Sequence, residues 1–338
     1  MSMLADVGAF ALKLMLFLAL IGAFVVLVTR LARGQQQEEQ PAPLEIQPLN
    51  ERLRERADRI RLAVAPGAQR KRIGKALKRQ RKDEAKAPSG QKTRPRGFVL
   101  DFEGDIRASA VSALREEISA LLQVADSGDE IILRLESPGG MVHSYGLAAS
   151  QLARIRKRGI RLTVAVDKVA ASGGYMMACV ADRIIAAPFA VIGSIGVVMQ
   201  LPNFHRLLKD KNIDYELLTA GEYKRTLTLF GENTESARSK ALEELEDTHA
   251  LFKDFIRSHR PQLDLEAVAS GEHWFGTRAA ERQLVDELMT SDDYLLQRMD
   301  SHDLFRVRLR QPKPLMQRLA ERIQMRFRPL WQALGHQQ

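Results

Sequence analysis

The sequence contains a single cysteine, Cys179, among its 338 residues. One thiol excludes an intramolecular disulfide, and no cluster of histidine and cysteine with metal-ligand spacing accompanies it. The chain also lacks a Walker phosphate-binding loop and a dinucleotide-binding glycine fingerprint. Cys179 falls in an apolar run, so we expect it to be a packed core residue. The chemistry of this chain is therefore expected to require no cofactor.

Positive charge is concentrated in one segment. The formal net charge is +9 at pH 7, yet residues 30–96 hold 19 Lys and Arg against 8 Asp and Glu, while the rest of the chain holds 32 against 34. The basic excess belongs to this segment, which we predict to be a linker, and it does not indicate a nucleic-acid partner. The linker is either a solvated tether or, if it faces the cytoplasm, a segment held on anionic lipid.

A long apolar run near the N-terminus predicts a membrane anchor. Lys13 is the only charged residue between Gly8 and Val28, and about 20 apolar residues span a bilayer as a helix. A retained anchor over residues 1–29 is favoured over a cleaved signal peptide, because the run lacks a following small-x-small cleavage site. The arginines after the run favour a cytoplasmic position for the remainder of the chain.

The most informative motif is Ala-Ala-Ser-Gly-Gly at residues 170–174, which joins a strand-like run to an apolar helical run. A serine at such a turn can project its hydroxyl into a cleft, and the glycines leave backbone N–H groups free at a helix start. The same residues also form ordinary turns. Taken alone, the motif predicts either a nucleophile at Ser172 or a structural turn.

Two further segments could complete a hydrolytic site. The first, Ser137-Pro138-Gly139-Gly140, follows a buried-strand pattern and would expose backbone amides to an oxyanion, or it is a plain strand-to-helix turn. The second ends in Lys224, which follows Gly221-Glu222-Tyr223. A lysine becomes a general base when burial lowers its pKa, whereas most lysines are solvated.

Together with Gly193-Ser194-Ile195-Gly196, these motifs have the order and spacing of a known family. The chain resembles the SohB and signal peptide peptidase A family of membrane-bound serine peptidases, from about Phe98 to Leu288. Its length fits the branch with one catalytic domain. The resemblance implies a Ser-Lys dyad with Ser172 as nucleophile and Lys224 as general base. It further implies oxyanion amides at Gly140 and Gly173, and a hydroxyl near the lysine at Ser194.

A histidine base is the alternative, because the related ClpP-type peptidases use a Ser-His-Asp triad. Of the seven histidines, His143 and His205 lie near the motifs, and His205 is expected in the first turn of an amphipathic helix. For both, a surface position is the other interpretation.

Strand and helix patterns alternate from Gly97 onwards. Strands are predicted at 98–102, 130–135 and 161–166, and helices at 111–123, 145–157 and 235–259. This alternation predicts an α/β fold with a largely parallel sheet, and the resemblance implies a ClpP/crotonase-like fold of repeated strand-strand-helix units behind an N-terminal transmembrane helix. The expected organisation is an anchor at 1–29, a basic linker at 30–96, a catalytic domain at 97–300 and a basic tail at 301–338.

The tail carries Leu315, Leu319, Ile323, Phe327 and Trp331 at steps of four, with arginines between them. Such a pattern predicts a basic amphipathic helix that docks on protein or lies on a membrane surface. The helix at 235–259 has a broad apolar face, and family resemblance implies that such helices meet neighbouring protomers of a homo-oligomer.

The function expected from these observations is a serine endopeptidase anchored in a bacterial inner membrane, acting on signal-peptide remnants or fragments of membrane proteins. Family resemblance implies an active site outside the cytoplasm, in conflict with the Lys and Arg distribution. Two alternatives from other classes stay open: a crotonase-like acyl-CoA enzyme, which would not need Lys224, and a non-catalytic membrane scaffold that binds extended peptides.

Overall fold

The computed structural model describes residues 43–86, 94–221 and 223–310, together with Gly22. The predicted anchor, apart from Gly22, and the amphipathic part of the tail lie outside these ranges. Within the ranges, no helix combines the length and the apolar composition that crossing a bilayer requires.

The described part of the chain alternates strands with helices, as the sequence predicts. The strands are β1 (Leu44–Pro48), β2 (Arg96–Glu103), β3 (Glu130–Glu136), β4 (Arg161–Val166), β5 (Val169–Ala171), β6 (Arg183–Ala186), β7 (Val191–Gly193), β8 (His273–Phe275), β9 (Glu287–Leu288) and β10 (Asp303–Leu309). The helices are α1 (Leu49–Val64), α2 (Gly67–Lys86), α3 (Val111–Leu121), α4 (Val142–Lys157), α5 (Gly173–Ala178), α6 (His205–Asp210), α7 (Glu235–His259), α8 (Leu265–Val268), α9 (Gly276–Glu281) and α10 (Ser291–Met299).

The larger sheet has the strand order β1-β10-β2-β3-β4-β6-β9, and every neighbouring pair is parallel except β1 with β10. Its central strands are buried along most of their length, which is typical of parallel strands covered on both faces. A smaller sheet, β5-β7-β8, combines a parallel and an antiparallel pair. The predicted mixed α/β fold with a parallel sheet is confirmed.

Apolar side chains alternate between the two faces of the larger sheet. Leu133 and its face pack against α3, α4, α5 and α7, whereas Ile132 and its face pack against α1 and α10. Full burial of a leucine or isoleucine contributes roughly 1.5–3 kcal/mol, so the two layers hold the sheet from both sides. Cys179 is fully buried in the first layer, and burial raises the pKa of its thiol. The expected core position of this residue is confirmed.

The sheet extends beyond the bounds of 97 and 300 expected from the sequence. β1 lies inside the predicted linker and β10 inside the predicted tail, and all five residues of β1 pair with residues 305–309 of β10. Asn50, at the start of α1, adds cross-links, because its Nδ2 donates to the His302 carbonyl and its Oδ1 accepts from the Leu304 amide. The region built around the larger sheet therefore includes residues 44–64 and 303–309 as well.

Candidate active site

Ser172 stands between β5 and α5 in a strained conformation. Its φ of 52° and ψ of −119° lie in a region that non-glycine residues rarely adopt, at a cost of about 1–3 kcal/mol. The turn ends in the first residue of a buried helix, so the side chain of Ser172 projects from a sharp strand-to-helix bend. This is the backbone geometry of a nucleophile elbow.

The smaller sheet brings Ser172 and Ser194 to neighbouring positions. β5 and β7 run parallel with Ala171 opposite Gly193, so each serine is the first residue after its strand. The amide of Ser172 donates to the Gly193 carbonyl at 2.8 Å, and the amide of Ser194 donates to the Glu272 carbonyl at 2.6 Å. Adjacent strands lie about 4.8 Å apart, so the fold brings together two of the predicted site residues.

The loop Ser137–Gly140 packs directly against the serine turn. Ser137 bridges to Ala170 in parallel fashion, and its carbonyl accepts from the Ala171 amide at 3.0 Å. A Cβ at Gly139, whose φ is +91°, would lie 2.7 Å from the Ser172 Cβ and 2.8 Å from the Gly173 nitrogen. Only glycine permits this approach, which sets the loop beside Ser172.

Backbone amides in these turns are free to bind a ligand. Three of the amides around them are occupied: the Gly139 amide donates to Ser137 Oγ, the Met141 amide to the Ile106 carbonyl and the Ser172 amide to the Gly193 carbonyl. Among the residues that the structure describes, the amides of Gly140 and Gly173 donate to no acceptor. Unsatisfied N–H groups on two adjoining loops, one of them at a helix start, form a site for a developing negative charge.

A buried hydrogen-bond chain supports the Ser137–Gly140 loop, and no local sequence pattern predicts it. The Gly139 amide donates to Ser137 Oγ at 3.1 Å, Ser137 Oγ lies 2.6 Å from the Tyr145 hydroxyl, and that hydroxyl donates to the Asp105 carbonyl at 2.8 Å. Burial raises the pKa of Tyr145, so its hydroxyl stays protonated at neutral pH. The Tyr145 ring also occupies the space that a Cβ at Gly173 would need.

Replacement of Tyr145 by phenylalanine tests this support. The change leaves Ser137 Oγ and the Asp105 carbonyl with one partner fewer in a buried setting, so the free energy of unfolding is expected to fall by about 1–3 kcal/mol. Turnover of a peptide substrate should fall with little change in KM, because the loop carrying Gly140 loses its anchor. Urea unfolding and steady-state kinetics measure both effects, and Tyr215→Phe, which removes an exposed hydroxyl, is the matched control. Equal stability and equal turnover of the two variants would show that this hydrogen-bond chain is dispensable.

Lys224 makes no hydrogen bond to Ser172 in the described part of the chain. It is exposed, and it lies on a long excursion that we term the lysine loop, residues 203–231. The loop is closed at its base by Asn203, whose Nδ2 donates to the carbonyls of Thr228 and Gly231, both at 3.0 Å. Within the described ranges, no hydrogen bond or ion pair joins the Lys224 ammonium to another residue.

The histidine alternative gains no support from the contacts of the imidazoles. His143 lies exposed in the first turn of α4, and His205 begins α6. His273 pairs with Gly193 in the β7–β8 ladder and so lies near the serine turn. It was not predicted there, because 101 residues separate it from Ser172 in the sequence. In the described part of the chain, none of these imidazoles is hydrogen-bonded to Ser172.

Two family models match nearly the whole chain. The model described as peptidase family S49 N-terminal matches residues 2–152, and the model of peptidase family S49 matches residues 154–304. The chain belongs to peptidase family S49. The motif resemblance is thereby confirmed, and the serine turn lies within the second matched region.

Bacterial relatives extend the assignment along the chain. A protein named "Probable protease SohB" from Haemophilus influenzae is 49% identical over 332 residues, covering 93% of this chain and 91% of the relative. Another of the same name, from Buchnera aphidicola subsp. Schlechtendalia chinensis, is 47% identical over 307 residues, covering 88% of this chain and 100% of the relative. A third, from Buchnera aphidicola subsp. Acyrthosiphon pisum, is 62% identical over 221 residues, 65% of this chain and 66% of the relative.

As a member of family S49, the chain is a serine-type peptidase and thus a hydrolase. This assignment favours proteolysis over the acyl-CoA enzyme and the peptide-binding scaffold that the sequence left open. The mixed α/β architecture with its multi-stranded sheet fits the S49 assignment.

Proposed function

We propose that the chain is an endopeptidase anchored in a bacterial inner membrane, which hydrolyses peptide bonds through a Ser172–Lys224 dyad and an acyl-enzyme. The observation that carries the proposal is the strained turn at Ser172, set beside two free amides at Gly140 and Gly173. The order β4-β5-α5 is a unit of strand, strand and helix, and it supports a ClpP/crotonase-like fold.

The first chemical step forms the acyl-enzyme. The neutral amine of Lys224 takes the proton of Ser172 Oγ as this oxygen attacks the carbonyl carbon of the peptide bond. The carbonyl oxygen becomes an oxyanion, which accepts hydrogen bonds from the Gly140 and Gly173 amides. Loss of one such donor typically costs about 10²–10³ in kcat. When the C–N bond breaks, the leaving nitrogen receives the proton from the lysine ammonium.

The second step releases the enzyme. Water attacks the ester carbon, gives its proton to the same lysine, and displaces Ser172 Oγ, which recovers a proton as the carboxylic acid forms. Ser194 supports the dyad, because its position next to Ser172 allows its hydroxyl to orient the lysine amine.

Lys224 must reach Ser172 for this chemistry, and we propose that a second copy of the chain supplies it. Twelve large apolar or aromatic side chains between residues 198 and 230 are exposed by 38% or more, and such patches mark interaction surfaces. On α7, Leu242 and Leu251 are also exposed, at 56% and 64%. A homo-oligomer would bury this surface and bring the lysine loop of one protomer to the serine turn of the next.

The proposed substrates are extended apolar peptides, such as signal-peptide remnants and membrane-protein fragments. The exposed side chains of Met141, Val142, Val198 and Met199 follow the Gly140 and Ser194 loops and support this preference. An extended peptide would place its alternate side chains against such apolar surfaces.

Trapping of the acyl-enzyme tests the proposed nucleophile. Purified enzyme is mixed with a nitrophenyl ester of a short apolar peptide, quenched in acid during turnover and digested for mass spectrometry. The acyl group is expected on Ser172 and to be lost in Ser172→Ala, whereas Ser194→Ala should still acquire it. An acyl group found on a different side chain would refute the assignment of Ser172.

The membrane anchor is proposed from the apolar run at 8–28, and the basic residues after it support a cytoplasmic peptidase domain. Alkaline carbonate should leave the full-length chain in the membrane pellet. Because Cys179 is buried, a single exposed cysteine introduced by Asp247→Cys reports the side. A membrane-impermeant maleimide is expected to label it in lysed cells and not in spheroplasts, and labelling of intact spheroplasts would place the domain outside the cytoplasm.

A further inference from the structure

A cleft with a volume of about 350 Å³ lies between α1 and α10. It opens on the sheet face of Ile132 and Leu304, since Arg134 and Arg306 line it and each is two residues further along the same strand. Its size falls in the range of roughly 300–1,000 Å³ typical of small-molecule sites. None of the residues proposed for catalysis lines the cleft, so it is a separate feature of the molecule.

Leucines from both helices form the apolar part of the cleft. Leu49 and Leu53 lie one turn apart on α1, and Leu295 and Leu296 face them from α10. Leu49 and Leu295 are buried, whereas Leu296 is 54% exposed. An alkyl chain laid against these side chains would gain roughly fourfold in affinity for each methylene removed from water.

Arginines form the polar part. Arg134 Nε and Arg306 Nε donate to the two oxygens of Asp101, at 2.6 and 2.7 Å, so one carboxylate stands between two guanidinium groups. Arg52 and Arg56 lie one turn apart on α1 and are both exposed. Arg52 donates to the neutral amide oxygen of Gln47 at 3.2 Å.

The cleft therefore carries excess positive charge. Four arginines line the cleft, and the carboxylates of Asp101 and Asp292 neutralise two of their charges. Two positive charges are left in excess. The planar guanidinium group matches carboxylate and phosphate oxygens in pairs. An apolar wall beside unbalanced arginines fits a molecule with one alkyl chain and an anionic head.

We propose that the cleft binds an anionic amphiphile, namely a single alkyl chain that ends in a carboxylate or a phosphate. The alkyl chain contacts the four leucines, and the head group binds the exposed pair Arg52 and Arg56 at the rim. A cationic amphiphile would be repelled by the arginines, and an alcohol would leave their positive charge unbalanced.

Binding of a dansyl-labelled undecanoate to the full-length chain in a non-ionic detergent tests the proposal by fluorescence. Arg52→Glu/Arg56→Glu is expected to weaken binding at least about tenfold, since the head group loses charge-assisted hydrogen bonds and faces two carboxylates instead. The matched control is Lys75→Glu/Lys78→Glu on α2, which changes the net charge equally at exposed positions outside the cleft. Leu296→Gln should weaken binding by shortening the apolar wall. Casein cleavage by each variant reports that it is folded.

Displacement of the probe identifies the head group. Decanoate, decyl phosphate or both should displace it, while decanol, decyltrimethylammonium and inorganic phosphate should not. Displacement by decanoate alone would point to fatty acids and by decyl phosphate alone to phospholipid-type heads, and either result supports the proposal. Equal probe binding by the wild type and both charge-reversal variants would overturn it. So would displacement by decyltrimethylammonium, or by an apolar peptide with a free carboxyl terminus when neither anionic amphiphile competes.

Discussion

Ser172→Ala and Lys224→Ala enzymes are each expected to be silent on casein, and enzyme assembled from both variants together is expected to recover about one quarter of wild-type turnover. Loss of the nucleophile or of its base costs on the order of 10⁴–10⁶ in kcat. In a ring with random subunit order, a Ser172 from one variant meets a Lys224 from the other at one site in four. We expect this recovery because the lysine loop is exposed and can reach the serine turn of a neighbouring protomer.

The two variants are best co-expressed with different affinity tags and purified through both, so that only mixed assemblies are assayed. His143→Ala and His273→Ala serve as controls for a histidine base, and both should retain cleavage. Continued silence of the mixed assemblies would show that Lys224 serves the serine of its own chain. Cleavage by Lys224→Ala alone would remove this lysine from the mechanism.

Gly140→Ala is expected to lower kcat by about 10²–10³, the usual effect of losing one oxyanion donor. A Cβ at this position would lie 2.1 Å from the Ile106 carbonyl oxygen and 2.7 Å from the Ile106 carbonyl carbon. Backbone atoms cannot turn aside as a flexible side chain can, so the loop must shift and carry the amide of residue 140 away from the oxyanion. Overpacking of this kind also costs about 1–3 kcal/mol of stability.

Gly146→Ala is the matched control for this substitution. Gly146 lies in α4, only six residues further along the chain, and a Cβ there meets nothing within 4 Å. Because glycine is unfavourable in a helix, Gly146→Ala should raise the free energy of unfolding by about 0.5–1 kcal/mol. Its kcat and KM should stay unchanged. Steady-state kinetics measure the fall in kcat, and urea unfolding measures the loss of stability. Wild-type kcat in a folded Gly140→Ala enzyme would exclude the amide of residue 140 from the oxyanion site.

Regular elements with strong local patterns were predictable from the sequence. The strand predicted at 161–166 and the helix predicted at 235–259 have the same bounds in the structure. The helix begins where Thr234 Oγ1 accepts from the Ala237 amide at 3.2 Å, a capping arrangement that the local sequence encodes. In both cases the information lies within a few residues of the element itself.

Pairings between distant residues were not predictable. β1 is only five residues long and largely exposed, and its partner β10 lies more than 250 residues away. The bond between Ser137 and Tyr145 spans only eight residues, but it was not predictable either, because the sequence around Tyr145 is that of an ordinary helix. The exposure of Lys224 depends on tertiary structure, because no local pattern distinguishes a solvated lysine from a buried one.

The dependence of the serine turn on the smaller sheet limits when this turn can form during synthesis of the chain. Gly193 holds the Ser172 amide, Glu272 holds the Ser194 amide, and β8 completes the sheet at residue 275 of 338. A ribosome must therefore translate the chain as far as residue 275 before the sheet that supports Ser172 is complete. Nascent chains shorter than this carry Ser172 without the complete sheet, so we expect them to lack peptidase activity.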